Sequence, residues 1–391
     1  MDVTFLSTSY SRFRGDDTNV PWLEDLAKGL IKKGINVKVI APHGKNTKDK
    51  EIMDGVEVHR FKYWFTTDKQ RVAYGSGGIP ANLGTLISKL QFPFFIFFFA
   101  LKAIRIVGPR DIIHAHWSLS GLIGIMVKSL RSNKVYLSIR GSGLRLTPRF
   151  LMKFIVDNVD LLNVDTNEYI EEIKSLKTST EISEVRIKYI NLEKYDHKMF
   201  NQKIIDEFGL KDRLVVTVVS YFVPQKCIDS LIKVIPKVLE ESQRDIVFLF
   251  VGDGPLFDDY RNMVNKMKIS DSVIFAGLRK DVNQILSVSD IFVRTGKESI
   301  CFSNAVLEAM AMGVPCTLPN IANTTDYWTN EFDSIIYELT DDSLKGAIVK
   351  LINDKNLRIE ISKNGLSFFE RIGFTKEKVL EGHIENYSSL S

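Results

Sequence analysis

Asn304-Ala305-Val306-Leu307-Glu308-Ala309-Met310-Ala311-Met312-Gly313-Val314-Pro315 combines a short helical pattern with one carboxylate about a turn past its start. Gly313 and Pro315 close the pattern, as a helix C-terminus requires. The stretch is reached from a strand-like Asp290-Ile291-Phe292-Val293 through a loop that contains glycine. A helix opening after such a loop offers unpaired backbone N–H groups and a positive dipole end, which suit a diphosphate. Glu308, one turn further on, would accept hydrogen bonds from a vicinal diol such as a ribose. Many strand–loop–helix units bind nothing, so the residue types alone leave both readings open.

Other residues with chemical potential sit where strands are expected to end. Arg140, in Arg140-Gly141-Ser142-Gly143, would meet a diphosphate bidentately or stand as an exposed turn arginine. In Ser9-Tyr10-Ser11-Arg12-Phe13-Arg14-Gly15-Asp16-Asp17, Gly15 lets backbone approach a ligand and Arg12 and Arg14 carry charge; a solvated loop is the alternative. His114 and His116 share one face of a strand, but no third metal ligand is apparent near them, so structural histidines are expected. Cys227, Cys301 and Cys316 have no paired spacing, which points away from a disulfide framework and from zinc. Neither a Walker loop nor a Rossmann glycine fingerprint is present.

These residues need a scaffold, and the chain supplies alternating strand and helix patterns. Val3–Leu6, 36–40, 111–115, 135–139 and 161–164 read as strands of a first domain, with a helix over 21–33 ended by Gly34. A polar stretch from Asn191 to Gln202 separates a second series at 214–219, 246–251 and 273–275, with a helix near 229–240. Continuously apolar strands imply sheets covered on both faces. The predicted fold is α/β, with two doubly wound Rossmann-like domains facing across a cleft: 1–196, 197–370, and a final helix within 371–391 packing back on the first domain. Ligands of such sheets sit beyond the C-terminal strand ends. At 391 residues, 45% hydrophobic and 26% charged, the chain has the make-up of a two-domain soluble enzyme.

The motifs resemble the retaining glycosyltransferases of family 4, which have the GT-B architecture. The Asn304–Pro315 string, with Phe302-Ser303 before it, is similar to that family's C-terminal signature. Pro224-Gln225-Lys226-Cys227 looks like its Arg-x-x-x-x-Lys-Gly segment, in which the cations neutralise the leaving diphosphate. Lys226 matches the lysine, while Tyr221 stands at the arginine and Cys227 at the glycine. Gly252-Asp253-Gly254-Pro255 resembles the turn at the nucleotide end, and Gly277-Leu278-Arg279 the segment whose backbone reads the base. His114-Ala115-His116 and Arg140-Gly141-Ser142-Gly143 are similar to the family's His-x-His and His-Gly-Ser-Asp, with Arg140 replacing the histidine. The family's loop glutamate falls on Ile300; Glu298, two residues earlier, either takes its place or is a solvated loop carboxylate. No Asp-x-Asp motif of the other large glycosyltransferase fold occurs.

The resemblance implies a hexosyltransferase acting on a nucleotide diphosphate sugar and a glycan or lipid-linked acceptor, without a metal or other cofactor and without nucleic acid. It implies Glu298 and Arg140 as catalytic residues. It implies Lys226, Glu308, Asn304, Ala305, Ser303, Leu278, Gly252 and Gly15 as the donor site. A weakly active relative that binds sugar nucleotides, or a scaffold of a polysaccharide assembly, is the alternative carried by Ile300, Tyr221 and Arg140. Met1 runs directly into an apolar strand, so a cytoplasmic location is expected, with the inner face of the cell membrane as a further option. Residues 1–200 hold 30 Lys+Arg against 21 Asp+Glu, which favours an anionic partner unless the charges only solvate the surface. Phe92–Leu101, ten apolar residues flanked by Lys89, Lys102 and Arg105, is too short to span a bilayer. A helix buried in the first domain is expected there, with peripheral membrane contact as the alternative.

Overall fold

The computed structural model describes residues 1–13, 16, 20–74, 78–139, 144, 146–164, 166–186, 189–297, 302–321 and 324–391. They form two compact units, Met1–Tyr189 with Lys376–Ser391, and Ile190–Thr375. Strands of the first are β1 (Asp2–Leu6), β2 (Asn36–Pro42), β3 (Lys50–Met53), β4 (Val56–Phe61), β5 (Ile112–His116), β6 (Val135–Ser138), β7 (Leu161–Asn163) and β8 (Ile182–Ser183). Among the described residues their order is β3-β4-β2-β1-β5-β6-β7-β8. Every pairing is parallel except β3 with β4, a hairpin turning through Asp54 and Gly55 at φ 50° and 89°. Positive φ at both turn residues matches the twist of the strands. The reading of the sequence did not include this hairpin, although Asp-Gly is its usual signal.

Helices cover both faces of this sheet. Leu86–Ile106, Ser118–Arg131, Arg149–Asn158 and Asn167–Lys174 build one core against it. Pro21–Lys32 and Lys376–Leu390 build the other. The aromatic run lies in a 21-residue helix, twice the length expected, and is buried on one side only. Phe95 and Phe99 pack on Phe61, with ring centroids 5.1 and 4.6 Å away. Phe94, Phe97 and Phe98 are exposed.

A buried polar network ties the last helix to the first unit. His114 Nδ1 lies 2.7 Å from Tyr387 Oη and Nε2 lies 2.8 Å from Ser138 Oγ. His383 Nδ1 is 3.0 Å from Tyr136 Oη, and the Asn386 amide donates to Tyr136 Oη and to Ser183 Oγ, both at 2.8 Å. His114 is therefore held by hydroxyls, as expected of a structural histidine. The unit boundaries differ from those expected. Tyr189 Oη donates to the Asp25 carbonyl (3.1 Å) and stays with the first unit, whereas the Ile190 N–H donates to the Phe374 carbonyl (3.2 Å). Residues 371–375 likewise stay with the second unit through Phe374, whose ring meets that of Phe302 at 4.7 Å.

The second unit has β9 (Leu214–Val219), β10 (Ile246–Val251), β11 (Val273–Gly277), β12 (Ile291–Val293), β13 (Cys316–Pro319) and β14 (Ile335–Tyr337). All are parallel in the order β11-β10-β9-β12-β13-β14. β10 is buried at every position, as a central strand covered on both faces must be. The chain order reverses between β9 and β12, which makes the C-terminal end of that pair the topological switch point of this unit.

Burial favours the neutral forms of His114 and His383. The pKa of His114 is driven well below 6.5 by burial and then by His116 and His383, and that of His383 is lowered by burial to about 3. The unfolded chain protonates both near pH 6.5, so their stabilising effect is complete above that pH and is lost as the pH falls below it. Urea unfolding of the whole chain, followed by circular dichroism, should show a lower midpoint at about pH 5.5 than at about pH 7.5. His383→Asn should flatten this dependence. Identical midpoints for the parent protein would show that the rings are not held neutral.

Candidate functional site

At the switch point of the second unit, the loops leaving β9 and β12 are bonded to each other. Thr295 Oγ1 donates to the Lys226 carbonyl at 2.6 Å, and the Lys297 N–H donates to the Gln225 carbonyl at 3.3 Å. Gly296, at φ 107°, makes this approach possible: a Cβ there would stand 3.0 Å from the Gln225 oxygen. Tyr337 Oη, from β14, donates to the Arg294 carbonyl at 2.8 Å and fixes the start of the second loop. Lys226 ends the 3-10 turn Pro224–Lys226 and is partly exposed. Cys227 then takes φ 47° and ψ 40° and opens helix Ile228–Glu241. This is the left-handed conformation that glycine adopts most readily, so the cysteine keeps the backbone of a Lys-Gly turn at some cost.

The loop leaving β10 is pressed onto the β9 loop in the same way. Phe222 N–H donates to the Asp253 carbonyl (2.9 Å), and Leu256 N–H to the Phe222 carbonyl (3.1 Å). Gly252 and Gly254 sit at φ 140° and 156°, and a Cβ on Gly252 would lie 1.8 Å from the Ser220 oxygen. The Gly252 N–H also donates to the Gly277 carbonyl at 2.8 Å, which links the loop after β11. Leu278 follows there, 79% exposed. Arg279 turns aside: both its Nε and Nη2 donate to the Asp281 carboxylate at 2.8 Å, and it also grips Glu207.

Helix Asn304–Ala311 follows β12. Its N-cap, Ser303, makes no side-chain cap bond among the described residues, and Asn304 and Ala305 begin the first turn, exposed and half-buried respectively. A first turn that its own N-cap side chain does not bond suits an anion. Phe302 anchors the approach to the helix among the rings of Tyr327, Trp328 and Phe374. Val306, Leu307, Ala309, Met310 and Ala311 are buried, which leaves Glu308 half-exposed on the remaining side. Tyr195, itself buried, lies beside Glu308; burial first, and then this carboxylate, raises the pKa of the phenol.

The second unit thus places Lys226, Gly252, Leu278, Ser303, Asn304, Ala305 and Glu308 on loops or helix starts that follow four of its strands. Gly15, Arg140 and Glu298 lie outside the described residues. Tyr221, at the position where an arginine was expected, is 56% exposed. Tyr195, Thr295 and Tyr337 went unnoticed in the sequence. Tyr195 belongs to the polar stretch read as a linker, and only Gly296 hinted at the loop-to-loop contact.

These contacts make opposite predictions for two single substitutions. Gly252→Ala should lower stability by about 3 kcal/mol or more, because the methyl would overlap backbone. Cys227→Gly should raise it by up to about 1 kcal/mol by relieving the left-handed backbone. Thermal unfolding of the full chain measures both; equal melting temperatures for the two variants would contradict the close-packed strand ends.

Residues 200–368 match the family described as Glycosyl transferases group 1. The UDP-Gal:alpha-D-GlcNAc-diphosphoundecaprenol alpha-1,3-galactosyltransferase of Escherichia coli is 30% identical over 278 residues, which is 65% of this chain and 69% of that protein. Among solved structures, sucrose-phosphate synthase from Thermosynechococcus elongatus superposes with a TM-score of 0.77 at 16% identity, covering 100% of this chain and 98% of the other. Anabaena HepE, crystallised with UDP and glucose, superposes with a TM-score of 0.71 at 16% identity, with both chains fully covered (100%). These likenesses identify the two doubly wound units as the GT-B fold.

Proposed function

The chain belongs to the group 1 glycosyltransferases, and on that premise we propose that it moves a hexose from a nucleotide diphosphate sugar to a glycan or lipid-linked acceptor, with retention at the anomeric carbon, in the synthesis of a cell-surface polysaccharide. The observation that carries this reading is the switch point itself, where Lys226 and the helix start at Ser303–Ala305 follow adjacent strands whose loops are bonded together. A diphosphate leaving group gains negative charge as its bond to the sugar breaks. A lysine and a helix N-terminus stabilise such charge without being rearranged in the reaction. The reading therefore assigns no metal or other cofactor.

Glu308 takes the ribose hydroxyls, with Tyr195 keeping its carboxylate oriented. The backbone beside Leu278 takes the base, and Gly252 lets that wall come close to the nucleotide. Gly15, Arg140 and Glu298 are assigned to the sugar end by resemblance. The acceptor then attacks the face from which the nucleotide departs, so positioning and electrostatics matter more than a protein nucleophile. Support also comes from relatives: the name of the Escherichia coli relative joins a UDP-galactose donor to an acceptor on diphosphoundecaprenol, and Anabaena HepE was crystallised with UDP and glucose. A cytoplasmic site of action fits a nucleotide-sugar donor.

Calorimetric titration of the full chain with UDP-sugars tests the site. Lys226→Ala and Glu308→Gln should each weaken binding about tenfold, and Tyr195→Phe by a smaller factor, about threefold. Unchanged affinity in the first two variants would remove the site assignment. Nucleotide release with membrane-derived glycan acceptors, undiminished by EDTA, is expected for the transferase. Donor binding without release would favour the weakly active binding protein that the exposed Tyr221 evokes.

A further inference from the structure

Helix Leu86–Ile106 has two apolar faces, and the fold uses one of them. On the inner face, Phe95 and Phe99 stack in the core of the first unit. At its polar end, the Gln91 side chain accepts from the Arg71 N–H (2.9 Å) and donates to the Lys69 carbonyl (2.8 Å). On the outer face, Ile87, Leu90, Phe94, Phe97 and Phe98 recur at helical spacing and are exposed, Phe97 by 60%. The loop after β4 extends this strip: the Trp64 ring lies 5.6 Å from that of Phe94, and Phe65, 91% exposed, lies 5.3 Å from Trp64.

Spanning a bilayer is not open to this helix. It is long and apolar enough by length and composition, yet its inner face is built into the sheet and hydrogen-bonded to neighbouring loops. Lying along an interface, with the outer face at acyl-chain depth, uses both faces without unfolding anything.

The charge of this part of the chain selects the kind of surface, although Lys128 and Lys134 are paired with Asp160. Within residues 1–200, the 65 residues from Leu86 to Phe150 hold ten Lys+Arg and a single acidic residue, Asp111; the other 135 are balanced at twenty of each sign. Asp111 is buried, accepting from Thr4 Oγ1 at 2.6 Å. Lys89, Lys102, Arg105 and Arg110 have no carboxylate at salt-bridge distance among the described residues. Arg105 continues the outer strip at the helix's C-terminal end, and Lys89 adjoins Leu90 at the other. Exposed aromatics bordered by unpaired cations complement an acidic lipid headgroup layer.

We propose that the outer face of helix Leu86–Ile106, together with Trp64 and Phe65, docks the protein on the surface of an anionic bilayer. The docking surface does not depend on the donor-site reading, and its test uses no activity measurement. The full chain is sedimented with vesicles of phosphatidylcholine alone and of phosphatidylcholine mixed with phosphatidylglycerol. It should bind the mixed vesicles, more weakly at high salt, with a blue shift of Trp64 fluorescence. Phe97→Ser with Phe98→Ser should reduce binding at least about tenfold, with an unchanged circular dichroism spectrum because both rings are exposed. Lys89→Glu with Arg105→Glu should reduce binding to the mixed vesicles to the level seen with phosphatidylcholine alone. No binding to mixed vesicles, or binding indifferent to the two serine substitutions, overturns the proposal. So does a dimer in solution that those substitutions convert to monomer while the parent protein ignores vesicles, since the face would then be an interface between copies of the chain.

Discussion

Close approach of backbone to backbone at the C-terminal ends of parallel strands governs the second unit. Successive loops bond to one another: the β10 loop to the β9 loop through Phe222 and Leu256, the β11 end to Gly252, and the β12 loop to Gln225 and Lys226. Gly252, Gly254 and Gly296 occupy positive φ there, and a Cβ on Gly252 or Gly254 would overlap the neighbouring backbone. The result is a rigid rim on which one lysine, one helix start and one carboxylate occupy set positions. Preorganisation of that kind lets a few polar groups act on developing charge without rearrangement.

The first unit is held by different means. Its last helix returns from the far end of the chain and is specified by polar groups inside the core, with His114 bonded to Tyr387 and both His383 and Asn386 bonded to Tyr136. Apolar contact alone would tolerate sliding of this helix, whereas hydrogen bonds in a dry core do not. The same unit spends its largest apolar helix unevenly, half on its own core and half on solvent. That imbalance, with the cations beside it, distinguishes the helix from an ordinary core element.

Much of the architecture was legible in the residues. Continuously apolar segments such as Ile246–Val251 proved to be central strands, and Gly34 and Gly313 marked real helix ends, whereas the break between units falls just before the polar stretch that begins at Asn191. The β3–β4 hairpin was missed because its strands are short and half-exposed, leaving Asp54-Gly55 as the sole signal. The extent of the aromatic helix was misjudged because Leu86–Gln91 and Lys102–Ile106 dilute the apolar run at both ends. Within the site, Lys226 and Glu308 stood out by motif. Tyr195 could not, since the carboxylate it lies beside is 113 positions away and no local pattern encodes that.

What the sequence by itself determined is the kind of fold and the residue types available at its strand ends, because hydrophobic periodicity and turn chemistry act over a few residues. Only the tertiary structure decided which loops touch, that Cys227 holds a glycine-like backbone turn, and which face of the long aromatic helix stays outside. Those outcomes depend on parallel register and on the burial of one face over another, and both arise only when distant segments pack together.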